Sequence, residues 1–239
     1  MKKSLMVLVL LCMVAILGTG CNGSSSGNGP DDSYSPVIDP AKFSTVIDNT
    51  YFPLIPGTTF IYEGESEDGP ETTTVVVTSN TREVMGVTCV VVRDTVKIDG
   101  EVVEDTYDWY AQDDEGNVWY FGEDSTEYED GVPVSTEGSW EAGVDGAKPG
   151  IIMLADPQVG DAYRQEYYYD EAEDEAEVVG LDASVTVPFG SYDGCLQTEE
   201  WTDLEPDVAE YKYYAPGVGL VLEEGIHNGE RAELVDISN

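Results

Sequence analysis

The sequence predicts an all-β protein, in which antiparallel meander sheets form two similar β units packed as one sandwich or open-barrel-like body. From residue 58 onward, short segments rich in Val, Thr, Tyr and Trp follow one another, and these residues favour strands. Tight-turn sequences separate the segments, and Asp99-Gly100 is typical of a two-residue hairpin turn. Sequence features also recur between the two halves: Gly57 and Gly160 lie 103 residues apart.

Residues 1–20 predict a secretory signal peptide. Lys2 and Lys3 precede an apolar run at 5–17, after which small residues lead to Cys21. A run of 13 residues is too short to cross a bilayer as a helix, which takes about 20 residues. We therefore expect export of the chain rather than a transmembrane helix.

A cysteine directly after small residues resembles the lipobox of bacterial lipoproteins, in which signal peptidase cleaves before a cysteine that is acylated. The sequence departs from that motif at Gly18, where the family usually has Leu. The resemblance implies that Cys21 is the lipidation site and the first residue of the mature protein. The alternative is an ordinary secreted protein in which Cys21 carries no lipid.

Residues 21–35 predict the lipidated cysteine and a flexible tether. The stretch 22–35 is nearly all Gly, Ser, Asn, Asp and Pro, which have little apolar surface to bury. Such a tether holds a folded domain clear of a membrane. Asn22 stands where an Asp would resemble the inner-membrane retention signal of enteric bacteria. We therefore expect an extracytoplasmic position in the cell envelope, attached to the membrane by the lipid, at the outer membrane if the host has one.

The chain is strongly acidic, with 49 Asp and Glu residues, 10 Lys and Arg residues and a formal net charge of -39. This balance excludes a nucleic-acid partner, because phosphate contacts need basic side chains. The acids either bind cations or form a solvated, self-repelling surface. The EF-hand spacing of calcium loops is missing, which favours the second interpretation. The single histidine, His227, lies in a polar turn, so the sequence predicts no metal site and no cofactor.

Two β units are predicted, at 36–137 and 158–239. Between them, 138–157 predicts a crossover loop, because four glycines and two prolines interrupt the strand pattern. Its apolar segment 151–154 is expected to enter the core. Strands of the first unit are predicted at 58–63, 72–78, 88–96, 102–109 and 118–121. Strands of the second unit are predicted at 162–169, 175–179, 184–187, 195–201, 209–214, 219–223 and 232–237.

Matches between the two units predict a duplication. Besides Gly57 and Gly160, the cysteines Cys89 and Cys195 both follow a glycine in an apolar strand, 106 residues apart. The alternative is chance, because β proteins re-use Gly, Tyr and Val. A disulfide between the cysteines would need their Cα atoms within about 7 Å. The valines around Cys89 favour two free, buried thiols instead.

The sequence contains no recognisable catalytic constellation. A single histidine leaves Ser/His/Asp or Cys/His machinery unsupported, and phosphate-binding and nucleophile-elbow motifs are missing. The alternative of a catalytic pair of carboxylates stays open, because acids are abundant and the distance between two of them is not visible in a sequence. The candidate ligand-binding residues are aromatic: Trp109, Trp119, Trp201 and Tyr213. Exposed rings would stack on sugars or peptides, and the alternative is that they pack in the core or between the units.

The segments VPFGSYDGCL at 187–196 and EYKYYAPGVGLV at 210–221 are similar to a stretch of uncharacterised, secreted bacterial lipoproteins. The segments 51–54 and 56–59 resemble the start of the same family's domain. The resemblance covers most of residues 51–236 and rests on turn-and-strand patterns. It implies an all-β extracytoplasmic domain and brings no known activity, cofactor or catalytic residue.

These observations lead to one functional hypothesis and two alternatives. The first is a lipid-anchored, extracytoplasmic binding or structural module without catalytic activity, whose partner is a small ligand, a glycan or an envelope protein. The second is a hydrolase of an envelope polysaccharide that uses two carboxylates, which a cleft with carboxyl groups about 5–10 Å apart would favour. The third is a carrier that holds an apolar ligand inside an open barrel or between sheets.

Overall fold

The computed structural model describes residues 33–66 and 68–239, so the predicted signal peptide, Cys21 and most of the tether lie outside the described residues. Within these residues the chain forms one 3₁₀ turn, Pro40–Lys42, and sixteen strands, and no helix is long and apolar enough to cross a membrane. The strands are β1 (Phe43–Ser44), β2 (Thr59–Ser66), β3 (Gly69–Val84), β4 (Val87–Ile98), β5 (Glu101–Asp113), β6 (Val118–Glu129), β7 (Val132–Ser135), β8 (Trp140–Glu141), β9 (Lys148–Met153), β10 (Ala162–Arg164), β11 (Glu166–Tyr167), β12 (Asp174–Val187), β13 (Gly190–Thr202), β14 (Ala209–Ala215), β15 (Gly219–Gly225) and β16 (Arg231–Ser238).

The strands form one antiparallel sheet that consists of two meanders. Strands β2 to β6 are neighbours in chain order, and so are strands β12 to β16. The two meanders are joined because β16 pairs with β2, with Ile237 opposite Phe60. This arrangement confirms the all-β, antiparallel fold that the sequence predicts.

Two-residue turns fix the register within the meanders. Asp99 and Gly100 connect β4 to β5 with φ angles of 50° and 84°, and Asp130 and Gly131 connect β6 to β7 with φ angles of 53° and 73°. Positive φ at both central residues is the requirement of the type I′ turn, whose twist matches that of paired strands. The hairpin predicted at Asp99-Gly100 is confirmed, with Ile98 opposite Glu101.

The two outer edges of the sheet meet in one short segment of chain. Strand β10 pairs with β12 at one edge, strand β11 pairs with β9 at the other, and only Gln165 separates β10 from β11. The sheet therefore curls almost completely round on itself. The result is a barrel-like body rather than a two-layer sandwich, and its edges are largely protected from pairing with other chains.

The stretch 138–157 differs from the predicted crossover loop. It contains β8 and β9, and both pair with β6, so the stretch extends the first meander instead of merely crossing the body. Pro149 is accommodated because it lies near the start of a short strand at the closure, where sheets tolerate proline. Ile152 and Met153 are buried in the core, as expected for this apolar segment.

Gly150 lies at the closure, and replacing it by Ala is expected to destabilise the protein by about 1–3 kcal/mol, the usual cost of overpacking. An added Cβ would overlap the backbone carbonyl of Gln165, which cannot move without disturbing β10 and β11. Chemical denaturation of the mature protein measures the loss. Gly180→Ala is a matched control on β12, because the nearest atom to its added Cβ lies at 3.4 Å. Equal stability of the two variants would contradict the close approach at Gly150.

Corresponding positions of the two predicted units make the same backbone hydrogen bonds. The amide of Gly57 donates to the carbonyl of Val77, and the amide of Gly160 donates to the carbonyl of Val178, both at 2.8 Å. The two glycines also share a left-handed backbone, with φ angles of 98° and 93°. These matches agree with the duplication, which stays a prediction.

Cys89 and Cys195 are both buried and free, which confirms the prediction of separate thiols. Cys89 lies on β4 and Cys195 on β13, and five strands lie between these two in the sheet. The positions correspond in the two units, but the strands that carry them do not meet. Burial raises the pKa of the Cys89 thiol to about 12, so this thiol stays protonated and unreactive in the folded protein.

Candidate functional site

The body of the protein buries many acids and almost no bases. Among the described residues, ten side chains with a carboxyl group are buried, against one with an amine, that of Lys212. Charged side chains are rarely buried in proteins unless they are paired, so this imbalance needs a physical explanation. The ten acids are Glu71, Asp94, Glu104, Asp108, Glu123, Glu166, Asp174, Glu200, Glu210 and Glu223.

Three neighbouring strands of the first meander form a surface that we call the acidic wall. It consists of Asp94 on β4; Glu104, Thr106 and Asp108 on β5; and Glu123, Ser125 and Glu127 on β6. Across β5 and β6, Glu104 opposes Glu127, Thr106 opposes Ser125, and Asp108 opposes Glu123. Asp94 opposes Thr106 across β4 and β5. The members of each row are two residues apart, which places them on one face of their strand.

Only part of the acidic wall is satisfied by hydrogen bonds. The Thr106 hydroxyl donates to Glu104 Oε1 at 3.0 Å and lies 2.8 Å from Ser125 Oγ, and the Tyr120 hydroxyl donates to Asp108 Oδ1 at 2.8 Å. Both carboxyl oxygens of Asp94 and the second carboxyl oxygen of Asp108 have no hydrogen-bond partner. Asp94 is therefore a buried acid with its whole acceptor capacity unused.

Burial shifts the protonation of the wall towards the neutral acids. Loss of hydration raises the pKa of Glu104 to about 7 and that of Asp108 to about 7, although hydrogen bonds from Thr106 and Tyr120 work in the opposite direction. Burial, reinforced by the carboxyl groups of Asp108 and Glu104, raises the pKa of Asp94 well above its usual range. Asp94, Glu104 and Asp108 thus keep their protons at a pH where surface acids are ionised.

The second meander contains a counterpart that includes one base, which we call the Lys212 cluster: Lys212, Glu200, Glu210 and Glu223. The Lys212 ammonium lies 3.1 Å from Glu200, 3.7 Å from Glu210 and 3.7 Å from Glu223. Burial opposes the charge on Lys212, but the three carboxyl groups outweigh it and hold the pKa of the amine well above its usual value. Glu200 also accepts hydrogen bonds from Thr198 at 2.7 Å and Tyr214 at 3.0 Å. Burial raises the pKa of Glu200, but the charge of Lys212 and hydrogen bonds from Thr198, Gln165 and Lys212 lower it overall.

Asp108 and Lys212 occupy corresponding positions in the two meanders. Each lies two residues before a buried Tyr-Ala pair, 110–111 and 214–215. Each also faces a buried glutamate on the next strand: Asp108 opposes Glu123, and Lys212 opposes Glu223. One meander therefore places a base where the other places an acid.

The other end of the interior is apolar and almost filled. Phe52 inserts between the two halves, with its ring centroid 5.6 Å from that of Tyr110 and 6.4 Å from that of Tyr214. Beside it lies a cavity of about 40 Å³, lined mainly by apolar side chains and, on one side, by Glu200 and Lys212. A cavity of this size has room for a few water molecules but not for a lipid or a sugar.

The four aromatic residues that the sequence singles out do not form one site. Trp109 is buried under the guanidinium of Arg82, at 3.8 Å from the ring centroid, and lines an open pocket of about 280 Å³ that also contains Glu141. Trp119 lines a different pocket, and its indole N–H donates to Asp113 at 2.8 Å. Trp201 lies on β13, and Tyr213 on β14 accepts a hydrogen bond from the side chain of Gln197 at 3.1 Å.

Sequence reasoning missed the acidic wall, although a signal for it exists. Acidic or hydroxyl residues at 104, 106 and 108 and at 123, 125 and 127 alternate with the two-residue period of a strand. Such a row normally indicates the solvent face of a sheet. Here the opposite face of β5 carries Trp109, which is covered from outside by Arg82 and β8, so polarity does not identify the outer face.

The fold and the interior define a class of protein: an all-β, nearly closed antiparallel barrel with buried carboxyl groups. No protein-family model matches the chain, and the search of curated proteins finds no match. The solved structure of a protein assigned as exported, with a YmcC-like fold, from Bacteroides fragilis is similar, at 18% identity and a TM-score of 0.47, over 80% of this chain and 100% of that chain. A protein assigned as a lipoprotein from Parabacteroides distasonis is similar at 12% identity and a TM-score of 0.43, over 80% of this chain and 99% of that chain. We draw no functional conclusion from likenesses at these TM-scores.

Proposed function

We propose that this chain is a lipid-anchored, extracytoplasmic binding module without catalytic activity. The proposed location in the cell envelope rests on the sequence, which has a short apolar leader, Cys21 after small residues, and a Gly- and Ser-rich tether. The proposed role as a binding module rests on the interior, where a nearly closed barrel buries ten acids and one base among the described residues.

The observation that supports a non-catalytic role is the burial of Asp94 and Asp108 in the acidic wall. Two-acid hydrolysis needs both groups at a glycosidic bond in an open cleft. Asp94 and Asp108 are 2% and 0% exposed, so a sugar could not reach them without opening the barrel. The carrier alternative is disfavoured by the same body, because its cavity of about 40 Å³ is far below the roughly 300 Å³ of a small-molecule pocket.

The proposal is tested on the protein solubilised from its own host. Native mass spectrometry should reveal a lipidated chain, and incubation with isolated envelope polysaccharide should release no new reducing ends. The Asp108→Asn variant is the control, because a hydrolase that uses this carboxyl group would lose its activity. Release of sugar by the wild type and not by Asp108→Asn would overturn the non-catalytic assignment.

Replacement of Cys21 by Ala is expected to move the protein out of the membrane fraction. Removing the acylated cysteine removes the lipid chains, and the acidic body has no affinity of its own for anionic headgroups. Detergent phase partitioning measures the change: the wild type should enter the detergent phase, and Cys21→Ala should stay aqueous or unprocessed. Equal partitioning of the two proteins would contradict the lipid anchor.

A further inference from the structure

A cleft of about 430 Å³ opens to solvent beside the closure of the barrel. Three separate parts of the chain line it: Tyr34 and Pro36 before β1, Trp119 on β6, and Arg164 and Glu175 on β10 and β12. Its volume lies within the range of about 300–1,000 Å³ that is usual for small-molecule sites, whereas the interior cavity of about 40 Å³ is far smaller. The structure therefore offers room for a ligand on the outside of the barrel.

Two aromatic side chains of this cleft are held in place by hydrogen bonds. The Tyr34 hydroxyl donates to the carbonyl of Pro149 at 2.8 Å, and the Tyr34 carbonyl accepts from the Lys148 ammonium at 2.6 Å. The Trp119 indole N–H donates to Asp113 at 2.8 Å. Because the polar groups of both residues are engaged with the protein, a ligand meets ring surface that needs no rearrangement, and this lowers the cost of binding.

Arg164 and Glu175 add an ion pair to the lining of the cleft. They are directly opposite each other across β10 and β12, and the guanidinium lies 3.1 Å from the carboxylate. Their side chains are 22% and 33% exposed. A guanidinium group has five N–H donors and a carboxylate accepts at two oxygens, so the pair presents both kinds of hydrogen-bonding group to a ligand hydroxyl.

Trp201 continues the aromatic surface beyond this ion pair. It lies on β13 directly opposite Glu175, and directly opposite residues of an antiparallel pair point to the same face. Arg164, Glu175 and the half-buried Trp201 therefore form one row across three strands. Trp119 lies on the other side of the closure from this row, on β6. Two of the four aromatic residues that the sequence singles out thus flank the same ion pair.

Two other open pockets of the described residues lack this combination. In the pocket of about 280 Å³, the ring of Trp109 is 3% exposed and is covered by the guanidinium of Arg82 at 3.8 Å, so a ligand cannot stack on it. A pocket of about 460 Å³ beside Glu63 and Glu233 has no aromatic side chain in its lining. Among these pockets, the cleft at Trp119 is the one that combines accessible rings with a donor and an acceptor.

We propose that this cleft binds a neutral oligosaccharide. A sugar ring stacks its C–H face on Trp119, and its hydroxyls hydrogen-bond to Arg164 and Glu175. A sugar fits this lining because it carries an apolar face and a hydroxyl-bearing edge on one ring. The formal net charge of -39 repels anionic ligands, so the sugar is uncharged. The proposal rests on the function of a binding module and names its ligand class.

Titration calorimetry of the mature protein in non-ionic detergent tests the proposal, with chitotetraose, cellotetraose, maltotetraose and mannotetraose as probes up to millimolar concentration. We expect saturable binding of at least one of them. Trp119→Ala should weaken that binding by about tenfold or more, the usual effect of truncating a tryptophan at the centre of a contact. Glu175→Gln keeps the shape of the side chain and should fold. It should weaken binding by about threefold or more, because a neutral amide accepts a weaker hydrogen bond than a carboxylate.

Tyr107→Ala is the matched control. Tyr107 is an exposed aromatic residue on β5 with a guanidinium beside it, that of Arg93 at 5.5 Å from the ring centroid, but it does not line the cleft. This variant should keep the affinity of the wild type. A wild type that binds none of the four sugars would overturn the proposal, and so would equal affinity of wild type, Trp119→Ala and Glu175→Gln. A parallel titration with uncharged tetrapeptides completes the test, since binding of peptides alone would make the cleft a peptide site.

The outcomes separate this proposal from the function on which it rests. If native mass spectrometry reveals a bound molecule of another class and no sugar binds, the oligosaccharide is wrong and the binding module stands. If a bound tetrasaccharide is cleaved and new reducing ends appear, the sugar site stands and the non-catalytic role is wrong.

Discussion

Replacement of Lys212 by Met is expected to lower the free energy of unfolding by about 3–5 kcal/mol, because it removes one partner of a buried ionic group. Glu200, Glu210 and Glu223 would then be left without the ammonium that lies 3.1–3.7 Å from them. Their desolvation would no longer be offset by the positive charge of the amine. Urea denaturation of the mature protein near neutral pH measures this loss.

Two comparisons separate this electrostatic cause from a packing defect. Lys42→Met removes an exposed lysine whose pairing with Asp114 at 3.5 Å is solvent-screened, so it should cost less than about 1 kcal/mol. Combining Lys212→Met with Glu210→Gln and Glu223→Gln should restore much of the lost stability. The glutamine side chains carry no charge, so they need no ammonium group beside them when they are buried. If Lys212→Met costs as little as Lys42→Met, the ammonium does not hold the cluster together.

Stability in metal-free buffer is expected to fall as the pH rises from 5 to 8, by about 3 kcal/mol or more. The acids of the first half have folded-state pKa values above their ordinary ones: about 7 for Glu104, about 7 for Asp108 and about 8 for Glu71, in each case chiefly through burial. The folded protein therefore holds more protons than the unfolded chain in this window. The stability that these bound protons contribute is fully present below about pH 4 and is lost as the pH passes through 7 to 8.

Within the Lys212 cluster, Glu200 acts in the opposite direction at lower pH, whereas burial raises the pKa of Glu210 and of Glu223, which therefore add to the loss of stability at higher pH. The pKa of Glu200 is held below its ordinary value, so the contribution of this carboxylate is present above that value and is lost on further acidification. The stability maximum is therefore expected on the acid side of neutrality, near about pH 5.

Urea denaturation at several pH values in the presence of a chelator measures this profile. The double variant Glu104→Gln, Asp108→Asn should flatten the decline between pH 5 and pH 8, because amides in these positions carry no titrating proton. Glu101→Gln is the control on the same strand, since Glu101 is exposed. A profile that rises towards pH 8, or one that the double variant leaves unchanged, would contradict the neutral state of the buried acids.

The sequence by itself determined the local structure of this protein. Val- and Thr-rich segments and the turn at Asp99-Gly100 predict antiparallel hairpins, because strand propensity and positive-φ turns are set by neighbouring residues. The burial of Cys89 could be predicted for the same reason, from the valines that flank it. The strand predicted at 162–169 is present in part, because Gln165 divides it into β10 and β11. The strands within 138–157 could not be predicted, since short strands at a closure owe their pairing to partners far away in the chain.

Only the tertiary structure decided which polar residues face inward. A row such as Glu104, Thr106 and Asp108 has the period of a strand, but periodicity does not distinguish the solvent side from the barrel interior. The distinction arises when the edges meet at Gln165 and enclose one face of every strand. Pairing of β13, β14 and β15 places Lys212 beside Glu200, Glu210 and Glu223, and closure then buries the four side chains. The electrostatics of the interior follow from closure, because burial shifts the protonation of an acid only once the sheet excludes water.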